Sequence, residues 1–210
     1  MGKFLFLVKW LNSAKLTTTL RMEEGMSMTP EVSQYWQHFI EQQQLPPDLQ
    51  PAEIYSFGNT EQMANELARL VIIGQKTATT SAIELYEPDE HVPQVGDYNV
   101  ILDGRDRPVA ITKTIMCTIV KYNQVDAEHA FLEGEGDRTL AYWRSVHEPF
   151  FKAEYAEAGQ VFTPTIACLC ERFEVVTERR ELRRFLHDCQ KVMRFGSSRL
   201  VIVCKVLADM

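Results

Sequence analysis

Residues 74–81, GQKTATTS, place a glycine, a lysine and four hydroxyl side chains in eight positions. A lysine is ordinarily a cation and no base, but burial lowers its pKa, and a neutral amine accepts a proton from a neighbouring hydroxyl. Lys76 with Thr79, three residues on, offers such a base and nucleophile; the plain alternative is a solvated lysine just past a helix end. The stretch is not a phosphate loop, because the apolar residues before Gly74 have helical spacing and Gln75 separates the glycine from the lysine. A second stretch, EGEGD at 133–137, alternates Glu133, Glu135 and Asp137 with glycines, so the backbone can turn tightly and direct carboxylates into a cleft. It lacks the glycine and distal glutamate of a calcium loop and otherwise reads as an acidic loop before a helix. His129 and Glu133 have the four-residue spacing of many metal pairs, yet no third ligand accompanies them, so neither a metal nor a cofactor is expected. Gly74 and Thr77 beside the lysine, and Arg138 and Trp143 after the acidic block, are the candidate substrate-binding residues. Trp143 also shares helical spacing with Leu140 and Val146, which is the pattern of a core position.

The elements that must position these residues follow from periodicity. Residues 28–45 open with Thr-Pro and carry Val32, Tyr35, Trp36, Phe39 and Ile40 at helical spacing. PPDLQP breaks the chain, AEIYSFG reads as a short extended piece, and a helix follows over 59–74. Asn59 is its expected cap with Gln62 three residues on, and Gly74 its left-handed terminus. From 78 to 122 the period shortens. SAIELYE, DYNVILD and PVAITKTIMCTIVKY read as strands, DGRDR as a hairpin turn, and TIACLCERFEVV at 165–176 as a final strand. Between them Asp137 is the expected cap of a helix bearing Leu140, Trp143, Val146 and Phe150, with Pro149 kinking or ending it. The fold class is α+β: a small antiparallel β-barrel with flanking helices. Residues 178–194 predict an amphipathic helix with Leu182, Phe185 and Cys189 inward and arginines outward, and RLVIVCKVL could add an edge strand.

With 210 residues and 45% apolar content, the chain suits one globular domain with appendages. No apolar run approaches the roughly 20 residues of a membrane span. MGKFLFLVKW resembles a leader, but Lys9 interrupts it and no small-residue cleavage pattern follows, so residues 1–27 are read as an extension or first strand. Five cysteines without metal spacing fit reduced thiols and a cytoplasmic location. The net charge of −7 is unevenly spread: residues 28–176 hold ten basic and 23 acidic side chains, and residues 177–210 eight and four. A surface wrapping a long phosphate backbone is normally basic, so the acidic middle favours a small or neutral ligand.

MANELARLVIIGQKTATTSAIELYE, the block from VGDYNVILDG through EGEGDRTLAYWRSVHEPFF, and CERFEVV, in this order, resemble the ASCH family over about residues 30–176. The likeness rests on G-x-K-x-A-T, E-G-E-G-D and Y-W-R-x-x-H-x-x-F-F. It implies a PUA-like β-barrel for residues 28–176, with residues 1–27 and 177–210 outside it as N-terminal extension and C-terminal basic helix and strand. The family includes RNA binders, a ribonuclease and amidohydrolases that deacylate N4-acylated cytosine nucleosides. In the amidohydrolases a lysine, a threonine three residues later and a distant glutamate form the catalytic set. The matching residues are Lys76, Thr79 and Glu133, the last lying four residues after the histidine of His129-Ala130. The implied chemistry has Lys76 taking the proton of Thr79, Thr79 attacking the acyl carbon, and Glu133 positioning the amine or protonating the leaving nitrogen, on a small nucleoside as partner. All three residues are then expected in one pocket. The alternative is an RNA-binding protein or ribonuclease acting on single-stranded RNA, with Lys76 and the arginines of 179–199 on phosphates and Trp143 or Tyr142 stacking a base.

Overall fold

The structure, a computed structural model, describes residues 28–177. Helix α1, Pro30–Gln42, begins where Thr29 accepts the Val32 amide and Pro30 occupies the first turn, the position where its missing N–H costs nothing. Its apolar side buries Val32, Trp36, Phe39 and Ile40 against Val100 and Ile111 of the sheet. Strand β1, Glu53–Ser56, and helix α2, Glu61–Ile72, come next. Gly74, at φ 72°, closes α2 as expected. The α2 cap is Thr60, one residue beyond Asn59, because the Thr60 hydroxyl is the one that reaches the Met63 amide.

Strands β2 (Ala78–Ala82), β3 (Tyr98–Leu102), β4 (Pro108–Lys121) and β5 (Ala167–Val175) complete a five-stranded half-barrel in the order β1-β3-β4-β5-β2. The sheet is mixed: β1 runs parallel to β3 while every other pair is antiparallel. The all-antiparallel expectation missed this because α2 and β2, not a tight turn, separate β1 from its partner. The turn between β3 and β4 is the predicted one. Buried Asp103 accepts the amides of Arg105 and Arg107 and the Arg107 guanidinium.

The strand expected over 81–87 lies earlier, on the threonine-rich residues, and gives way at Ile83–Leu85 to one 3-10 turn. There Glu84 accepts the Tyr155 hydroxyl and the Ala167 amide, contacts that require the chain to leave the sheet. Helix α3, Ala127–Glu133, is capped by Asp126 and ends on Gly134 at φ 78°. Helix α4, Leu140–Glu157, is capped by Thr139, not Asp137; Asp137 instead accepts the Thr139 amide and hydroxyl and braces the cap. Pro149 lies within α4 and does not end it. Trp143, Phe151 and Tyr155 of α4 pack with Tyr122, Ala82, Cys168 and Cys170. The helix and strand read in 178–207, and the extension at 1–27, lie outside the described residues.

Candidate functional site

Three short tethers bring the two chemistry-bearing stretches together. The Thr77 amide donates to Leu132 O at 2.8 Å, the Gln75 side-chain amide donates to Gly134 O at 2.6 Å, and the Thr77 hydroxyl reaches Leu132 O at 3.4 Å. The end of α3 is thereby clamped onto the start of β2. A side chain at Gly134 would meet the Gln75 carbonyl, so this approach needs glycine as much as the left-handed φ does.

The clamp sets Lys76 between two carboxylates. Its ammonium donates to Glu135 Oε1 at 2.8 Å and Glu133 Oε2 at 3.3 Å, with all three side chains at most 6% exposed, and lies 5.0 Å from the centre of the Phe57 ring. Glu133 is the hub. Its Oε1 accepts the Thr80 hydroxyl at 2.6 Å and the Trp143 indole N–H at 2.7 Å, and His129 Nε2 stands 3.3 Å away. His129 Nε2 is also 2.8 Å from Thr80 Oγ1; with the Thr80 proton on Glu133, the imidazole N–H is the donor. His147 donates through Nδ1 to Trp143 O, stacks its ring on the Trp143 indole at 4.2 Å and sets Nε2 3.5 Å from Glu133 Oε2. His129, Ala130 and Glu133 share the buried side of α3, so the four-residue spacing marks one helix face and not a loop.

Electrostatics corrects one expectation. Burial drives the Lys76 ammonium toward neutrality, but the charges of Glu135 and Glu133 outweigh it and hold its pKa above the usual lysine value. Lys76 is thus a fixed cation at neutral pH and not a resting base. Burial pushes Glu133 up, yet His147, Lys76 and the His129 hydrogen bond together hold it well below the carboxylate range. Glu135 moves up, because burial and the neighbouring charge of Glu133 exceed the pull of Lys76. Burial opposes charge on His129, but hydrogen bonding with Cys170 and Glu133 raises its pKa to about 9.

The other expected residues are dispersed. Thr79 is buried, and strand alternation turns it away from Thr80; the register sets it opposite Glu171 of β5 while Thr80 faces Cys170. The hydroxyl on Glu133 is therefore that of Thr80. Gly74 closes the α2 turn, and Thr77 serves the backbone tether. Arg138 lays its guanidinium over Phe131 at 3.5 Å. The Trp143 ring, 2% exposed between Tyr122 and His147, has no face open to a stacking base; its contribution is the N–H on Glu133. Sequence reasoning left Thr80 and Glu171 unassigned. Only Thr80 had an accessible signal, the two-residue alternation of a buried strand. A recess of about 110 Å³ borders His129, Cys170, Thr118 and Arg172 on the Thr80 side of the sheet.

The ASCH domain profile matches residues 53–177, more than half of the chain. The chain belongs to the ASCH domain family. Solved structures share its fold. An ASCH domain from Lactobacillus crispatus JV V101 is 28% identical, with a TM-score of 0.68 over 73% of this chain and 99% of its own. A protein from Enterococcus faecalis V583 is 37% identical, with a TM-score of 0.62 over 70% of this chain and 92% of its own. No curated protein matches the chain significantly. In this ASCH domain the profile begins at β1, so α1 lies outside the match although it packs on the same sheet.

Proposed function

We propose that this ASCH domain is an amidohydrolase that removes an acyl group from a modified cytidine-type nucleoside. The supporting observation is the buried Lys76–Glu133 ion pair beside a strand of hydroxyl residues, a fixed cation where a carbonyl oxygen would become negative. In this reading Thr79 attacks the acyl carbon, the Lys76 ammonium stabilises the tetrahedral oxyanion, and Glu133 holds the ammonium in place. This differs from a lysine base: the two carboxylates keep the proton on Lys76, and its role is electrostatic. Thr80, Trp143 and His129 orient the Glu133 carboxylate.

The test is release of cytidine from N4-acetylcytidine by the purified chain. Turnover is expected, with Thr79→Val and Lys76→Met each losing at least about 10²-fold in kcat. Absence of turnover, or a Thr79→Val rate near the parent's, sinks the reading. A second reading, binding of single-stranded RNA, has one specific observation in its favour: Phe131, 51% exposed, carries the Arg138 guanidinium on its ring. Exposed aromatic and guanidinium planes are the usual stacking platforms for unpaired bases. If RNA is the ligand, Arg138→Ala should weaken binding while Thr79→Val leaves it unchanged.

A further inference from the structure

The threonine assigned as nucleophile needs a proton acceptor, and Lys76 does not supply one. The cross-strand register identifies a carboxylate in that place. Thr79 of β2 is paired directly with Glu171 of β5, and directly opposed residues of an antiparallel pair project to the same face with Cβ atoms about 5 Å apart. Both are buried, at 1% and 2% exposure. The same face leads back to Lys76: Phe173, two residues along β5, stacks with Phe57 at 6.3 Å, and the Lys76 ammonium lies over that Phe57 ring. Phe57 thus stands between Phe173, on the Thr79–Glu171 face, and the Lys76 ammonium, which Glu133 and Glu135 hold from the α3 side.

We propose that Glu171 is the general base for the Thr79 hydroxyl, an inference that rests on the amidohydrolase reading above. As the Thr79 Oγ–acyl carbon bond forms, the hydroxyl proton passes to Glu171 and the carbonyl oxygen becomes an oxyanion beside Lys76. Collapse breaks the carbon–nitrogen bond, and the proton on Glu171 passes to the departing N4 amine. Water then attacks the acyl ester, giving a proton to Glu171 that returns to Thr79 as the carboxylic acid leaves. Water is the sole co-reactant. Tyr55 and Tyr86 are the phenols that neighbour Glu171, and burial with the adjacent carboxylate keeps both protonated. Glu53 on β1 adds charge on the same tyrosines, and Cys117 of β4 is the Cα partner on Glu171's other flank.

The experiment separates this inference from the choice of substrate. The full chain is treated with p-nitrophenyl acetate, an activated acyl donor, and acetylation of Thr79 is timed by peptide mass spectrometry beside N4-acetylcytidine turnover. Wild type should acetylate at Thr79, and Glu171→Gln should slow that step roughly 10²-fold or more. Glu171→Asp, which retains the carboxylate, should recover part of the rate. Thermal unfolding and circular dichroism identify variants that remain folded. Glu171-dependent acetylation without nucleoside turnover would overturn the substrate and keep the base. Acetylation of Thr79 at an unchanged rate in folded Glu171→Gln and Glu171→Asp would overturn the base, as would a wild-type chain never acetylated at Thr79.

Discussion

At the scale of single residues, the cluster is arranged around one ionised carboxylate. Glu133 collects a hydroxyl, an indole N–H, an ammonium and two imidazoles, which makes it an anchor and a poor base. Removing one partner from such a group strands buried charge. Lys76→Met should therefore lower stability by about 3–5 kcal/mol, more than an exposed lysine would, because two carboxylates lose their shared cation. His129 gives a pH-dependent counterpart. Its folded pKa of about 9 lies above the unfolded value of about 6.5, so its contribution is complete below pH 6.5 and is lost as pH rises through 9. The unfolding free-energy difference between wild type and His129→Gln should shrink from pH 6 to pH 9.5 in urea titrations. A difference constant across that range would show that His129 is not held charged.

At the scale of elements, the site exists because α3 ends where it does. Gly134 takes a left-handed conformation against the Gln75 carbonyl, and the Thr77 amide bonds Leu132 O at the same joint. Gly134→Ala combines backbone strain with a steric clash and should cost about 2–4 kcal/mol, read as a lower urea midpoint. It should also draw Glu133 from Lys76 and reduce turnover in molecules that remain folded, whereas Gly74→Ala, with nothing near its Cβ position, should show the conformational cost alone. These joints explain what the sequence discloses. α1, α2, β3, β4 and β5 are legible because their apolar residues recur at one period and their boundaries carry Thr-Pro, Gly or Asp-Gly signals. β2 is not legible in the same way, because its strand is polar, ATTSA, and its burial comes from tertiary pairing with β5. The Lys76–Glu133 pairing came from family resemblance; spacing alone contains nothing that joins positions 57 residues apart. Burial of Lys76 alone implies a neutral amine; the second carboxylate, Glu135, with Glu133 reverses that direction.

At the scale of the whole molecule, charge distribution separates the two functional readings. Residues 28–176 carry ten basic against 23 acidic side chains, and the Lys76 ammonium is enclosed by its carboxylates, so it offers little to a phosphate backbone. Among the described residues no helix is long and apolar enough to cross a membrane. A neutral nucleoside releases no counterions on binding, whereas log affinity for single strands falls with log salt in proportion to the phosphates neutralised. Kcat/KM for N4-acetylcytidine should accordingly change by less than about twofold between 50 and 500 mM potassium chloride, because the charges that act on the reaction are buried and weakly screened. The chain ended after Thr177, which keeps the Thr177 hydroxyl on the Ile111 amide, should give the same salt response and comparable turnover, since every residue assigned here to the chemistry precedes that position. Any RNA affinity carried by the eight basic residues of 177–210 should fall in that shortened chain and show a steep salt slope in the full one. Turnover that declines steeply with salt, or that disappears in a folded chain ending at Thr177, would place phosphate recognition or the basic tail within the reaction and overturn the neutral-nucleoside assignment.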